Sequence, residues 1–259
     1  MIPLYDHNPT GRPPVITRLL ILANLIAGYL EWQHGAEGVI RAYGFVPVRA
    51  LESFELELPH VFSSMFLHAG LGHLAWNMLF LHIFGDNVED LLGRTRYLFF
   101  YFASGVAGAL AHYYLDPMST VPMIGASGAI AGVLGGYVVL HPKAPIIHLN
   151  PIPLFWLFMG PFLALPAWFA VGYWFFGNLL GAFASLGGAS AGVAFFAHIG
   201  GFLAGLVLTR PLLVDVPERP RPTRAQPDWR GRSDADQQRG PQSGRRRAFW
   251  KESNGPFWR

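Results

Sequence analysis

Apolar residues in this chain run in long blocks instead of alternating with polar ones, and polar, proline or glycine stretches separate the blocks. Such blocks predict helices that are apolar all round and lie in a membrane. Six of them cover residues 15–32, 71–88, 97–115, 127–140, 167–186 and 192–208. Several are shorter than the roughly 20 residues of a simple span, which a bundle with polar helix ends tolerates. The predicted fold is an all-α polytopic membrane protein with six transmembrane helices.

Residues 152–165 are also apolar and aromatic, but Pro151, Pro153, Pro161 and Pro166 interrupt them. The unbroken part is too short to cross, so it reads as an interfacial or re-entrant connection. Parity then matters. With one span between them, the fourth and sixth helices enter from the same side, and Ser127 and His198 share a leaflet.

Composition agrees with the pattern. Of 259 residues, 52% are hydrophobic and 14% charged, against about 25% charged in soluble domains. With no cysteine, disulfides, thiolate metal sites and a cysteine nucleophile are excluded. No apolar run precedes Val15, so the first span is expected to stay uncleaved in the membrane.

Charge sets the expected orientation. A cytoplasmic N-terminus puts Arg12, Arg18, Arg94, Arg96, Lys143 and Arg210 inside. Arg41 and Arg49 then lie outside, in a first loop that also holds Glu37, Glu52, Glu55 and Glu57. Residues 1–14 form a cytoplasmic N-terminal segment, 15–210 the membrane domain and 211–259 a basic, disordered cytoplasmic tail. The tail supplies the net charge of +3. Its role is that of a solvated positive-inside tail, or contact with anionic lipid through Arg245, Arg246 and Arg247.

The chemistry centres on Ser127, within Gly125-Ala126-Ser127-Gly128 at the start of the fourth helix. A serine hydroxyl needs a base to become a nucleophile, and histidine is the usual one. Unpaired first-turn N–H groups at a helix start can hold an oxyanion. Gly125 and Gly128 allow a tight turn and close approach of a substrate. The alternative is packing, since Gly128, Gly132 and Gly136 form small-xxx-small steps. His198 lies in AFFAHIGGFLAGLVL, with Gly201 and Gly205 on its helix face. These glycines would bring the sixth helix against the glycines of the fourth and carry His198 toward Ser127. His198 is six residues past Gly192, roughly 9 Å down, so a water-accessible cavity is implied.

In the second helix, His73 and Asn77 are four apart and share a face. Both can donate to an oxyanion, or they make a helix-to-helix polar contact. No metal is expected: H-E-x-x-H is absent, and His68 and His73 are off a common face. Only Asp86 lies in or at the edge of a span, too few for an aspartyl protease. No inverted repeat points to a transporter.

His73-x-x-x-Asn77, Gly125-x-Ser127-Gly128 and Ala197-His198-x-x-Gly201-x-x-x-Gly205, in that order, resemble the rhomboid intramembrane serine proteases. FGDNVEDLLGRTRY after the second helix is similar to that group as well, and residues 15–210 resemble its six-helix bacterial form. The resemblance implies Ser127 as nucleophile and His198 as general base, with no third acidic member. His73, Asn77 and the Ser127 N–H would form the oxyanion hole. The partners would be transmembrane protein substrates, usually single-pass, and the lipid bilayer, with no cofactor and no nucleic acid. The fifth helix and residues 187–192 would gate lateral entry. A bacterial plasma membrane is the expected location. A non-catalytic relative that binds membrane helices is the alternative. One departure is Ala131, where some members place an aromatic ring on the histidine. Phe195, Phe196 or Tyr173 are the candidate substitutes.

Overall fold

The computed structural model describes residues 2–150, 152–186 and 194–213. The basic tail from residue 214 and the expected gating loop fall outside the described residues, the loop apart from its flanks at 186 and 194. The chain order is β1 (Ile2–Asp6), α1 (Val15–His34), α2 (Ala36–Tyr43), α3 (Pro47–Glu52), α4 (Phe54–Ser63), α5 (Leu71–Leu92) and α6 (Arg94–Leu115). Then come α7 (Ser127–Leu140), β2 (Pro145–Leu149), α8 (Trp156–Met159), β3 (Phe162–Pro166), α9 (Ala167–Leu186) and α10 (Phe195–Leu212). The protein is mostly helical.

Among the described residues four helices are long and apolar enough to cross a membrane: Val15–His34, Arg94–Leu115, Ala167–Ser185 and Phe195–Leu212. α5 has the length, with 22 residues, but its last turns carry Asp86, Glu89 and Asp90. α7 is apolar but has only 14 residues. The outer faces of α1, α9 and α10 expose Leu22, Ile26, Phe176, Phe183 and Val207, the pattern of helices solvated by lipid. Inside the bundle, Leu81, Val88, Tyr97, Phe100, Tyr101, Leu134 and Tyr137 are fully buried.

Glu89 explains why α5 outruns its apolar pattern, which ends at 88. Its carboxylate is buried and accepts the Ile16 N–H at 2.9 Å, the Thr17 N–H at 2.8 Å and the Thr17 hydroxyl at 2.8 Å. These are first-turn groups of α1, which has no side-chain cap of its own. A charge from one helix thus closes the open end of another. At the same end Arg96 donates to the carbonyls of Leu212 and Leu213, at 3.3 and 3.1 Å. Arg96 therefore closes the last turn of α10.

The first loop contains α2, α3 and α4. Its two arginines are paired there: Arg41 with Glu37 at 2.6 Å and Arg49 with buried Glu57 at 3.0 Å.

A small sheet departs from the all-α expectation. β1, β2 and β3 form an antiparallel sheet in that order. Residues 152–165, read as an interfacial or re-entrant connection, supply the link from β2, including α8, and most of β3, and β3 runs directly into α9. Residues 2–6, for which the apolar pattern predicts no element, supply the edge strand, with a register shift between Pro3 and Tyr5. Asp6 ties that strand to the bundle. It accepts from the Tyr137 hydroxyl of α7 and, at 2.9 Å, from Asn87 of α5, which also accepts from Asn8.

Close helix contact sets the centre of the bundle. A Cβ on Gly201 would overlap the Gly128 carbonyl oxygen, and one on Gly205 would overlap the Gly132 carbonyl oxygen. A Cβ on Gly135 would meet the Phe202 oxygen at 2.5 Å. Backbones meet only where side chains are missing, so these glycines fix the spacing of α7 and α10. Gly108 of α6 joins them, since its Cβ would lie 2.6 Å from the Ala197 oxygen.

Candidate active site

Ser127 is the first residue of α7, and His198 lies in the first turn of α10. α10 starts at Phe195, later than the expected 192, so His198 is three residues, roughly 4.5 Å, below its helix start. The glycine contacts described above bring the two side chains together. His198 Nε2 lies 2.8 Å from Ser127 Oγ. The other ring nitrogen, Nδ1, lies 2.5 Å from Oδ1 of Asn178 in α9.

His73 and Asn77 come from the first two turns of α5 and face the loop before Ser127. A Cβ on Gly125 would lie 2.8 Å from His73 Nε2 and 3.4 Å from Asn77 Nδ2. Gly125 also has φ +111°, a conformation that side chains disfavour. Only glycine satisfies both constraints. The Gly125 N–H donates to the Ser64 carbonyl at 2.8 Å, which holds the turn. His73 Nδ1 accepts from the Ala69 N–H at 3.4 Å. Accepting at Nδ1 leaves the proton on Nε2, the atom facing Gly125. Asn77 Nδ2 is buried without a hydrogen-bond partner. A buried donor with no protein partner is uncommon and fits a site that completes it on binding.

Ser127, His198, His73 and Asn77 line one cavity of about 740 Å³. His112 of α6 and Trp174 of α9 line it too. A smaller apolar cleft of about 90 Å³ between α5 and α9 is bordered by Trp76, Phe80, Phe169 and Trp174. Trp76, Phe80 and Trp174 belong to both walls. Among the described residues no group of three or more His, Asp or Glu converges to hold a metal.

Around the imidazole, the Trp174 ring sits 5.8 Å away and the Phe195 ring 6.5 Å away, edge to face. Phe195 is one of the three candidate substitutes for the aromatic ring absent at Ala131. Phe196 lines the cavity, and Tyr173 points mostly outward at 61% exposed. Trp174, Asn178 and His112 are the neighbours that the sequence reading passed over. A signal was present for two of them: an amide in the apolar fifth block and a histidine in the third, where polar groups need a use.

The chain matches the rhomboid domain over residues 55–214. It is 32% identical over 127 residues to the putative rhomboid protease YdcA of Bacillus subtilis, covering 49% of this chain and 62% of that protein. It is 43% identical over 79 residues to the rhomboid protease GluP of the same organism, covering 30% of this chain and 15% of that protein. It is also 33% identical over 97 residues to inactive rhomboid protein 1 of Drosophila melanogaster, covering 38% of this chain and 7% of that protein. The chain thus spans less than two thirds of the length of each. With the domain matched across well over half of its 259 residues, this chain belongs to the rhomboid family.

Proposed function

We propose that the protein is an intramembrane serine protease with Ser127 as nucleophile and His198 as general base. The observation that carries this reading is the 2.8 Å contact between Ser127 Oγ and His198 Nε2 in a cavity also lined by His73 and Asn77. Ser127 Oγ attacks the scissile carbonyl while its proton moves to His198 Nε2. The oxyanion is received by His73 Nε2–H, the Asn77 amide and the Ser127 N–H. His198 then gives the proton to the leaving amine, and water hydrolyses the acyl-enzyme with His198 again as base.

The reading also covers the setting. α5 and α7 complete six spans, with both termini cytoplasmic in a bacterial plasma membrane. Residues 1–14 lead in, 15–210 form the membrane domain and 211–259 the cytoplasmic tail. A helix of 14 residues is about 21 Å long, short of the roughly 30 Å hydrocarbon core. α7 ends next to His141 and Lys143, so its Ser127 end stops inside the bilayer. Such a position suits single-pass transmembrane substrates cut in or beside their spans. The apolar cleft between α5 and α9 is the proposed route from lipid to the cavity.

The test is labelling of the purified chain with a fluorophosphonate. Wild type takes up the probe and Ser127→Ala does not; equal labelling of the two removes Ser127 as nucleophile. A second reading, a non-catalytic protein that binds membrane helices, has the inactive fly relative in its favour. The hydrogen-bonded Ser127–His198 pair weighs against it.

A further inference from the structure

We propose that Asn178 is a positioning residue that holds the His198 imidazole in the orientation and tautomer a general base requires, an inference that rests on the serine-protease reading. Asn178 lies in α9, on a third helix outside the Ser127–His198 pair, and is 8% exposed. Its side-chain Nδ2 donates to the Trp174 carbonyl at 2.9 Å. A carbonyl oxygen can only accept, so the NH₂ end of the amide is committed to Trp174. The atom left facing His198 Nδ1 at 2.5 Å is therefore Oδ1, also an acceptor. Two acceptors cannot bond to each other, so Nδ1 carries the hydrogen. A neutral imidazole protonated at Nδ1 has its lone pair on Nε2, which faces the Ser127 hydroxyl at 2.8 Å. The amide orientation and the tautomer thus follow from one fixed backbone carbonyl.

The bond persists through the proton transfer. When Nε2 takes the Ser127 proton, the imidazolium still donates Nδ1–H to Oδ1, whose partial negative charge favours the cation. A carboxylate would favour it more but would place a net charge on a buried side chain beside Trp174. An amide orients the ring without that cost. The aromatic contacts limit ring tilt but cannot choose a tautomer, so the two kinds of neighbour do different jobs.

The experiment uses the whole 259-residue chain in detergent and measures fluorophosphonate inactivation against pH for wild type, Asn178→Leu, Asn178→Asp and Ser127→Ala. Asn178→Leu lowers the maximal inactivation rate by roughly 10–100-fold, less than the ~10⁴ found when a carboxylate partner is replaced. The half-saturating probe concentration stays the same. Asn178→Asp retains labelling, and its acidic limb moves to higher pH by roughly one unit or more, because a carboxylate stabilises imidazolium. His73, His112 and Asp116 line the same cavity, so ¹⁵N NMR of the histidines, assigned against His198→Ala, accompanies the profile. It should report Nδ1–H and a bare Nε2 for His198 in wild type. A His198 protonated at Nε2 overturns the inference, as do a wild-type rate in Asn178→Leu and an unmoved limb in Asn178→Asp. If Asn178→Leu does not fold, the NMR tautomer and the Asn178→Asp limb decide. Labelling that survives Ser127→Ala defeats the protease reading instead, which keeps the two failures apart.

Discussion

Gly201 of α10 faces the carbonyl oxygen of Gly128 of α7 so closely that a Cβ on Gly201 would overlap it. The contact lies three residues beyond His198 and one beyond Ser127, so it sets the separation of these two side chains. Gly201→Ala forces the helices apart and costs about 1–3 kcal/mol, the usual range for overpacking. Thermal unfolding should show the loss, and probe labelling should fall with it. Gly172→Ala is the control, since a Cβ there meets nothing within 4 Å. Equal behaviour of the two variants would contradict the seam.

Asn77 offers a cleaner test of transition-state binding. Its Nδ2 has no partner in the protein, so truncation breaks no existing bond there. Asn77→Ala should lower kcat by about 10²-fold with KM and thermal stability nearly unchanged. A loss of stability without a loss of turnover would make Asn77 a packing residue.

Glu89 is predicted to matter for stability alone. It holds three first-turn donor groups of α1 and lies at the bundle end opposite Ser127. Glu89→Ala should lower stability by about 2–4 kcal/mol, measured by thermal or denaturant unfolding in detergent. Glu89→Gln should recover part of the loss. An unfolding midpoint equal to wild type in Glu89→Ala would mean that water caps α1 as well as Glu89 does.

Asp6 links the sheet to pH. Burial raises its carboxyl above the ordinary 3.8, against the opposing effect of the Tyr137 hydrogen bond and nearby His7. The folded state therefore holds the Asp6 proton more tightly than the unfolded chain. Its stabilisation is complete below the unfolded value and is lost as pH rises through the folded one. Asp6→Asn keeps an acceptor for Tyr137 and Asn87 but cannot ionise. It should match wild type near about pH 4 and exceed it near about pH 8 in thermal stability. A constant difference across that range would show that Asp6 is not the linked group.

The sequence carried the parts of this picture that depend on pattern. Apolar blocks located the long helices. The glycine spacings anticipated the seam between α7 and α10. What it hid has physical reasons. β1 and β3 are five residues each, contain Pro3 and Pro166, and are recognisable only by their pairing with β2. Glu89 reads as a charge ending a span until α1 is packed against it. Asn178 bonds to a residue 20 positions away, and an amide in an apolar helix can bond in many directions. Only the close approach of α9 to α10 selects His198.

As proposed above, Ser127 and His198 together cut peptide bonds at membrane spans. The full chain in liposomes with a single-pass substrate, small residues near its outer end, tests this most directly. Wild type should yield a defined cleavage product, with none from Ser127→Ala or His198→Ala. A product of equal yield from Ser127→Ala, or none from folded wild type that takes up the fluorophosphonate, would contradict the account.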